Sequence, residues 1–173
     1  MKIGIDKAPN IMQIVFRAEP SDEFYRDCMR GVINLDLKHR IMSACTNCGN
    51  YTYKWNEKGK EFLKLAKTVD EEYLLAKIST KEFDYALTVS KILKYLFFNK
   101  DEERYLKAVD FFNCLDDMLI SRQREFHDVI ERYDCEGVFI DLDIDDFVAY
   151  DYPSGARIFA NLFVEYVQPK IEV

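Results

Sequence analysis

Three aspartates, Asp141, Asp143 and Asp145, are spaced two residues apart near the carboxyl end of the sequence. Apolar residues alternate with them, which is typical of a β-strand with one apolar face and one acidic face, so we predict a strand over residues 138–146. Carboxylates on one face repel each other unless water, a cation or a basic partner screens their charge. We therefore expect this face to remain solvated, to bind a basic protein surface, or to hold Mg²⁺ or Mn²⁺.

The region around these aspartates accounts for the net charge of the chain. Residues 131–151 hold eight acidic residues and one basic residue, and this difference equals the formal net charge of −7. Such a concentrated charge repels nucleic acid and attracts cations or basic partners, so we do not expect direct binding to nucleic acid. The predicted partner-binding residues are Glu136, Asp141, Asp143, Asp145, Asp146, Asp151, Tyr150 and Tyr152.

A second candidate surface is an aromatic strand that follows a turn at residues 47–50. Tyr51, Tyr53 and Trp55 alternate with polar residues that include Lys54, as in the return strand of a β-hairpin. Aromatic side chains beside lysines can stack on bases and bind phosphates. The same alternation is typical of the inner face of a sheet, and both interpretations remain open from the sequence.

Two cysteines, Cys45 and Cys48, have the spacing with which many zinc sites begin. No second pair of this kind follows, so we expect two reduced thiols beside a turn and no bound metal. A zinc site would need further ligands to converge from distant positions, and the candidates are Cys28, His39, Cys114, His127 and Cys135.

The two histidines are candidate general bases because imidazole titrates near neutral pH. His39 lies on a predicted strand and His127 on a predicted helix. Neither has a nucleophile or a metal-binding motif beside it in the sequence. We therefore expect both to be structural, or one of them to assist proton transfer if the aspartates hold a metal ion.

The hydrophobic periodicity predicts the elements that must position these residues. Period-two patterns favour strands over residues 11–18, 37–46, 51–55 and 138–146. Helical patterns follow at about residues 22–32, 59–68, 73–78, 81–98, 101–130 and 158–166. We predict an α+β fold, with a small, mostly antiparallel sheet packed against a helical hairpin and further helices. Residues 1–173 should form one domain, with a helical subdomain at about residues 59–133.

Composition restricts the class of protein. The chain is 49% hydrophobic and 14% aromatic, with six glycines and four prolines, which indicates an ordered globular protein. No apolar run approaches the roughly 20 residues that span a bilayer, and the first residues lack an export signal. We therefore expect a cytoplasmic location, no membrane association, and reduced cysteines.

The segment 46–55, followed by Phe62-Leu63 and by Tyr73 to Lys77, resembles a pattern in small, uncharacterised proteins of phages and mobile elements. In those proteins a turn with Gly-Asn leads into an aromatic strand that ends at Trp. Cys48 departs from the pattern, which has an acidic residue or Tyr before the glycine. The resemblance implies a phage or integrated element, where small acidic proteins often disarm host defence, as anti-CRISPR proteins do.

These observations favour a phage-type host-defence inhibitor that binds protein rather than an enzyme. Its expected partner is a host protein with a basic nucleic-acid-binding groove, such as a CRISPR effector nuclease, and no cofactor is needed. The first alternative is a nuclease or phosphoesterase acting on RNA, in which Asp141, Asp143 and Asp145 hold Mg²⁺ or Mn²⁺. The second is a structural or regulatory interaction protein.

Overall fold

The structure, a computed structural model, describes residues 1–56, 60–115, 120–134 and 137–172. It has the predicted α+β fold. The chain divides into two compact units, called unit 1 (Met1–Thr80 with Tyr152–Val173) and unit 2 (Lys81–Asp151). No helix in these ranges is long and apolar enough to span a membrane.

Unit 1 contains a five-stranded antiparallel sheet in which each strand pairs with the next in sequence. Its second strand carries the expected alternation, because Met12, Ile14 and Phe16 are buried while the residues between them are exposed. The strands are β1 (Lys2–Ala8), β2 (Ile11–Arg17), β3 (Arg30–Asp36), β4 (Ile41–Thr46) and β5 (Gly49–Lys54). The predicted strand at residues 11–18 and the predicted hairpin into residues 51–55 are thus confirmed.

The helix predicted at residues 22–32 is wrong. A short 3-10 helix covers Glu23–Tyr25, and β3 begins at Arg30. From Gly31 onward the chain alternates, with Ile33 and Leu35 fully buried, and pairs with β2 along its whole length. Burial of this alternating face against the core outweighs the local helical preference of the preceding residues.

The described residues contain six α-helices: α1 (Lys60–Thr68), α2 (Glu71–Ile78), α3 (Tyr85–Phe98), α4 (Glu102–Cys114), α5 (Gln123–Tyr133) and α6 (Ser154–Leu162). In unit 1, α1, α2 and α6 cover the inner face of the sheet, and their apolar residues share one core with those of β2 to β5. The last helix passes into a π-helical turn at Phe163–Val167 and a 3-10 turn at Gln168–Lys170.

Unit 2 has its own core, formed by α3, α4, α5 and the residues after Gly137. The predicted pairing of two helices is present as α3 and α4, but the second one ends at Cys114 instead of continuing to Ile130, and α5 begins at Gln123. Thr88, which is fully buried, donates to the Asp84 carbonyl oxygen at 2.7 Å and accepts from the Ala149 N–H at 3.0 Å. Two short strands, β6 (Glu82–Phe83) and β7 (Tyr150–Asp151), pair where the chain enters and leaves this unit.

Candidate functional site

An open cleft in unit 2 brings several of the predicted residues together. It lies between α5 and the residues that follow Gly137, and its volume is about 380 Å³. Its floor is apolar, because Ile130, Phe139 and Ile144 are all buried. Its rim is acidic, with Glu131, Asp134, Asp143 and Asp145. A cleft of this composition can accept a group that is both apolar and cationic.

The strand predicted at residues 138–146 is wrong. Residues 138–141 form turns, and Ile144–Asp146 is a 3-10 helix. Val138 and Phe139 are both buried, whereas Ile140 is 79% exposed, so the apolar residues do not share one face. Gly137, with φ of +66°, turns the chain in a way that disfavours other residues. The aspartates consequently do not form the expected ladder on one face of a strand.

Two side chains from neighbouring elements fix this irregular backbone. The Asp134 carboxylate accepts from the N–H groups of Val138 and Phe139 at 2.7 and 2.8 Å. The Arg104 guanidinium donates two hydrogen bonds to the Val138 carbonyl oxygen, at 3.0 and 2.6 Å. These bonds satisfy backbone groups that a strand would have paired with a neighbouring strand.

The acidic segment, defined as residues 141–146, is largely exposed. Asp141, Asp143, Asp145 and Asp146 all reach solvent, and buried Ile144 anchors the segment to the core. Asp143 accepts from the Asp145 N–H at 3.2 Å and so caps the 3-10 helix. Over the described ranges, no Lys or Arg side chain forms an ion pair with these four aspartates. Their charges therefore face solvent or a binding partner.

His127 joins the acidic segment through a small polar network. Its Nε2 lies 3.1 Å from Oδ1 of Asp145, which also accepts from the Gln123 amide at 2.8 Å. The Tyr150 hydroxyl donates to the Gln123 side-chain oxygen. A histidine beside a carboxylate can exchange protons, and the protonated imidazole would also neutralise part of the local charge.

The other predicted partner-binding residues lie in different places. Tyr150 is 47% exposed and, with Asp151, forms β7 of unit 2. Tyr152 belongs to unit 1, where the Arg157 guanidinium lies 5.8 Å from its ring centroid. Glu136 falls outside the described residues. The structure thus gathers the central aspartates and Tyr150 in one unit, whereas Tyr152 belongs to the other.

The second candidate surface is the inner face of the unit 1 sheet. Trp55 is only 3% exposed, and Tyr51 stacks on Phe159 with ring centroids 4.8 Å apart. Tyr53 packs edge-on against Trp55, and Lys54 is exposed on the opposite face of the strand. Rings that contact the core in this way are not free to stack on bases.

His39 lies in the turn between β3 and β4, so its predicted position on a strand is wrong. Its Nδ1 and its backbone N–H both contact the Asp36 carboxylate, each at 2.8 Å. Hydrogen bonds from the His39 backbone N–H, and then from its side chain, hold the pKa of Asp36 below its ordinary value. This arrangement stabilises the turn, which is the structural role expected for His39.

The two cysteines of the 45–48 motif do not face each other. Cys45 is exposed, whereas Cys48 is half-buried and Cys28 is fully buried. Hydrogen bonding from the Cys48 thiol lowers the pKa of Cys28 to about 7, and the same interaction raises that of Cys48. Burial raises the pKa of neighbouring Tyr51 to about 12. Within the described ranges, no group of three or more His, Cys, Asp or Glu side chains is arranged to hold a metal ion.

Several functional candidates were not recognisable from the sequence. Gln123 lies 22 positions before its hydrogen-bond partner Asp145, and Arg104 lies 34 positions before its partner Val138. No local pattern in the sequence indicates these two contacts. The alternation with aspartates predicts that Ile140 lies on a buried face, yet it is the most exposed large apolar side chain described. The glycine at position 137 was the one local signal against a strand.

Comparisons with known proteins give one match. A model of a phage family matches residues 23–173, which is most of the chain and includes the cleft. Neither a curated protein nor a solved structure gives a significant match. The family match supports the phage setting that the resemblance of residues 46–77 implied.

Proposed function

The chain belongs to this phage family, and from that premise we propose that it is a host-defence inhibitor that acts by binding protein. Its target would be the basic nucleic-acid-binding groove of a host defence enzyme, specifically a CRISPR effector nuclease, as for anti-CRISPR proteins. The binding surface would be the acidic segment with the unit 2 cleft, and the place of action the host cytoplasm. The observation that carries this proposal is the exposed acidic segment bordering an apolar-floored cleft.

Charge supports a basic partner. Four exposed aspartates within six residues, without Lys or Arg partners in the described ranges, repel one another in the free protein. Binding to arginines and lysines would relieve that repulsion and would also accelerate encounter. A groove that normally binds a phosphate backbone offers such a surface, so the inhibitor would compete with nucleic acid for the same cations.

Apolar contacts would supply the affinity that charge alone does not. Ile140 is 79% exposed beside the acidic segment, and Tyr150 is 47% exposed at β7. Buried apolar and aromatic anchors dominate interface energies, whereas charges on the rim mainly affect association rates. The cleft floor could pack against the methylene groups of a lysine or arginine whose charged end reaches the rim carboxylates.

The test is competition binding with a purified CRISPR effector nuclease from a host of the phage. We expect wild-type protein to displace a fluorescent DNA from the effector, and increasing salt to weaken its binding. Asp141→Asn with Asp146→Asn should weaken binding by about tenfold, roughly 1.4 kcal/mol. The matched control is Glu61→Gln with Glu72→Gln, which removes two exposed acids from α1 and α2 and should leave binding unchanged.

Equal loss of affinity in both double variants would mean that only net charge matters, and the cleft would not be the binding surface. Binding that is insensitive to salt and tolerates Asp141→Asn with Asp146→Asn would contradict the proposal. In that case the remaining interpretation is a structural or regulatory interaction protein whose acidic segment is solvated.

A second candidate function is the metal-dependent nuclease or phosphoesterase. The contact between His127 and Asp145, 3.1 Å long, favours it because it provides a group for proton transfer next to exposed carboxylates. Its test is cleavage of single-stranded RNA with Mg²⁺ or Mn²⁺, compared with EDTA and with His127→Gln. Turnover that requires the metal and His127 would support the enzyme, and turnover unaffected by EDTA would exclude the metal.

A further inference from the structure

An aromatic groove, defined as the surface around Phe97, Phe98, Tyr105 and Leu106, lies between the end of α3 and the start of α4 in unit 2. Phe97 is 64% exposed, Phe98 is 76% exposed and Leu106 is 55% exposed. Two adjoining cavities of about 560 and 520 Å³ share both phenylalanines and Tyr105. Contiguous apolar surface that remains exposed on a soluble protein marks an interaction site.

Contacts within unit 2 hold the groove in one shape. The ring of Phe97 packs edge-on against those of Phe98 and Tyr105, with centroids 5.7 and 5.8 Å apart. The turn between the two helices is fixed by Asp101, whose carboxylate accepts from the Arg104 N–H at 3.2 Å and caps α4. A surface that is already formed in the free protein loses less conformational entropy when a partner binds.

The apolar surface extends from the groove along α3. The side chains that line the second cavity are spaced by three and four residues, so they share one face of the helix, and they are Ala86, Val89, Leu93 and Phe97. From the first to the last of them this face covers about three helical turns. A face of this length is suited to packing against a helix of another molecule.

The charges on the rim of the groove distinguish between possible occupants. Lys94, Lys100 and Glu102 line it, and none of the three forms an ion pair with any residue that the structure describes. A partner with charge of one sign would satisfy the lysines or the glutamate, but not both. A surface that binds its own copy needs both signs, because each residue meets a different residue of the same patch. The rim is therefore complementary to itself.

The order of these charges along the chain fits a two-fold axis. Lys94 lies one helical turn before Phe97 and Phe98, whereas Glu102 lies beyond them, in the first turn of α4. A two-fold rotation centred on the phenylalanines exchanges these two sides. It brings Lys94 of one copy toward Glu102 of the other, and it does so twice, once on each side of the axis.

We propose that the aromatic groove is the interface of a two-fold symmetric dimer, and that its occupant is a second copy of this chain. The rings of Phe97 and Phe98 from both copies pack at the centre, where buried aromatic side chains contribute most to affinity. Lys94 and Glu102 pair reciprocally at the rim and fix the orientation of the two copies.

The dimer goes beyond the proposed function and does not depend on it. Among the described residues, the groove and the acidic-rimmed cleft have no lining residue in common. A dimer built through the groove would carry two acidic segments, whatever those segments bind.

The first test is sedimentation velocity of the full-length chain over a roughly hundredfold range of concentration, in which mass action should convert monomer to dimer. A reducing agent excludes disulfide-linked dimers, since Cys45 and Cys114 are exposed. We expect association to stop at the dimer, because a two-fold interface closes on itself. A monomer at every concentration, or assembly into longer chains, would overturn the proposal.

A pair of matched variants locates the interface. Phe98→Ser should weaken the dimer by about tenfold or more, because it removes an aromatic side chain from the centre. The control is Ile140→Ser, since Ile140 is exposed to a similar extent in the same unit, at 79%, but lines the cleft. This control should dimerise like wild type, and circular dichroism checks that both variants fold. Dimerisation that survives Phe98→Ser, or that Ile140→Ser abolishes, would place the interface elsewhere and contradict the proposal.

Reciprocal charge reversal tests the two-fold symmetry. Lys94→Glu and Glu102→Lys should each weaken the homodimer by about tenfold, because like charges then meet twice across the axis. A mixture of the two single variants should form a heterodimer in which both contacts pair opposite charges. Native mass spectrometry with one variant labelled with ¹⁵N identifies that heterodimer. A mixture that associates no better than the separate variants would show that Lys94 and Glu102 do not meet across a two-fold axis.

Discussion

Asp134 determines the backbone of the cleft, because one carboxylate accepts from two consecutive N–H groups. Its oxygens bind the N–H groups of Val138 and Phe139, and both of these residues are buried. At this residue the side chain serves the structure, whereas the aspartates of the acidic segment are exposed to solvent. The difference lies in hydrogen-bond partners, since the residue type is the same.

Asp134→Asn should destabilise unit 2, because an amide supplies one acceptor oxygen for two N–H groups and leaves one of them unsatisfied. We expect a loss of about 1–3 kcal/mol in the free energy of unfolding, measured by urea denaturation. Asp141→Asn is the matched control, since Asp141 is exposed, and it should change stability by less than about 0.5 kcal/mol. Equal effects of the two substitutions would mean that the Asp134 hydrogen bonds do not hold the segment.

Asp36→Asn should reveal that the turn containing His39 makes a pH-dependent contribution to the free energy of unfolding. The folded-state pKa of Asp36 is lowered, so its contribution is complete above the unfolded pKa and is lost as the pH falls through the folded pKa. The urea midpoint of wild type should therefore exceed that of Asp36→Asn at pH 7, and the difference should shrink in acid. A difference that is constant across this range would show that the carboxylate charge contributes nothing.

At the scale of elements, α6 begins in direct contact with the β4–β5 turn. A Cβ placed on Gly155 would lie 2.1 Å from the Cys48 carbonyl oxygen and 3.2 Å from the Tyr51 hydroxyl. Only a residue without a side chain allows the first turn of α6 to approach so closely. This contact fixes the start of the helix against the sheet that it covers.

Gly155→Ala should destabilise the protein by about 1–3 kcal/mol, since the added methyl group forces a backbone shift that outweighs the better helix propensity of alanine. Gly4→Ala is the control, because a Cβ at Gly4 of β1 meets no atom within 4 Å. Thermal unfolding of the two variants provides the measurement. A Gly155→Ala variant at least as stable as wild type would show that the β4–β5 turn moves to accommodate the methyl group without loss of stability.

The sequence predicts those helices and strands whose apolar periodicity is formed entirely by residues of the element itself. The alternation of residues 11–17 and 49–54 and the apolar stripes of α1 to α3 are local, so these elements were found at nearly the right positions. The conformation of residues 138–146 depends on Asp134 and Arg104, and that of residues 26–36 depends on pairing with β2. Such contacts are tertiary, and an alternating pattern alone cannot indicate that they replace a strand. The charge pattern of the sequence indicates the carboxylates of the candidate site. It does not predict how they are arranged around the cleft.

At the scale of the whole molecule, the two units have separate hydrophobic cores. Trp55, the single tryptophan, is buried in the core of unit 1. Phe126, fully buried in unit 2, contacts the rings of Phe83, Tyr85 and Phe112, all of which belong to the same unit. Each core therefore offers its own probe of stability.

Phe126→Ala should cost about 3–5 kcal/mol through the cavity that it leaves, and should act mainly on unit 2. We expect faster hydrogen exchange in α3 to α5, with a smaller change in β2 to β4 and in the fluorescence transition of Trp55. Phe159→Ala in the unit 1 core is the counterpart and should give the reverse pattern. Uniform acceleration of exchange in either variant would show that the two cores unfold as one.

The pairing of β6 with β7 has a consequence for how such a gene can change. Glu82 lies opposite Asp151, so the points where the chain enters and leaves unit 2 are neighbours, about 5 Å apart. A short connection could replace everything between them without stretching the flanking chain. Recombination at these two codons would replace the segment that encodes unit 2 with another segment. The rest of the open reading frame would still encode the five-stranded sheet of unit 1.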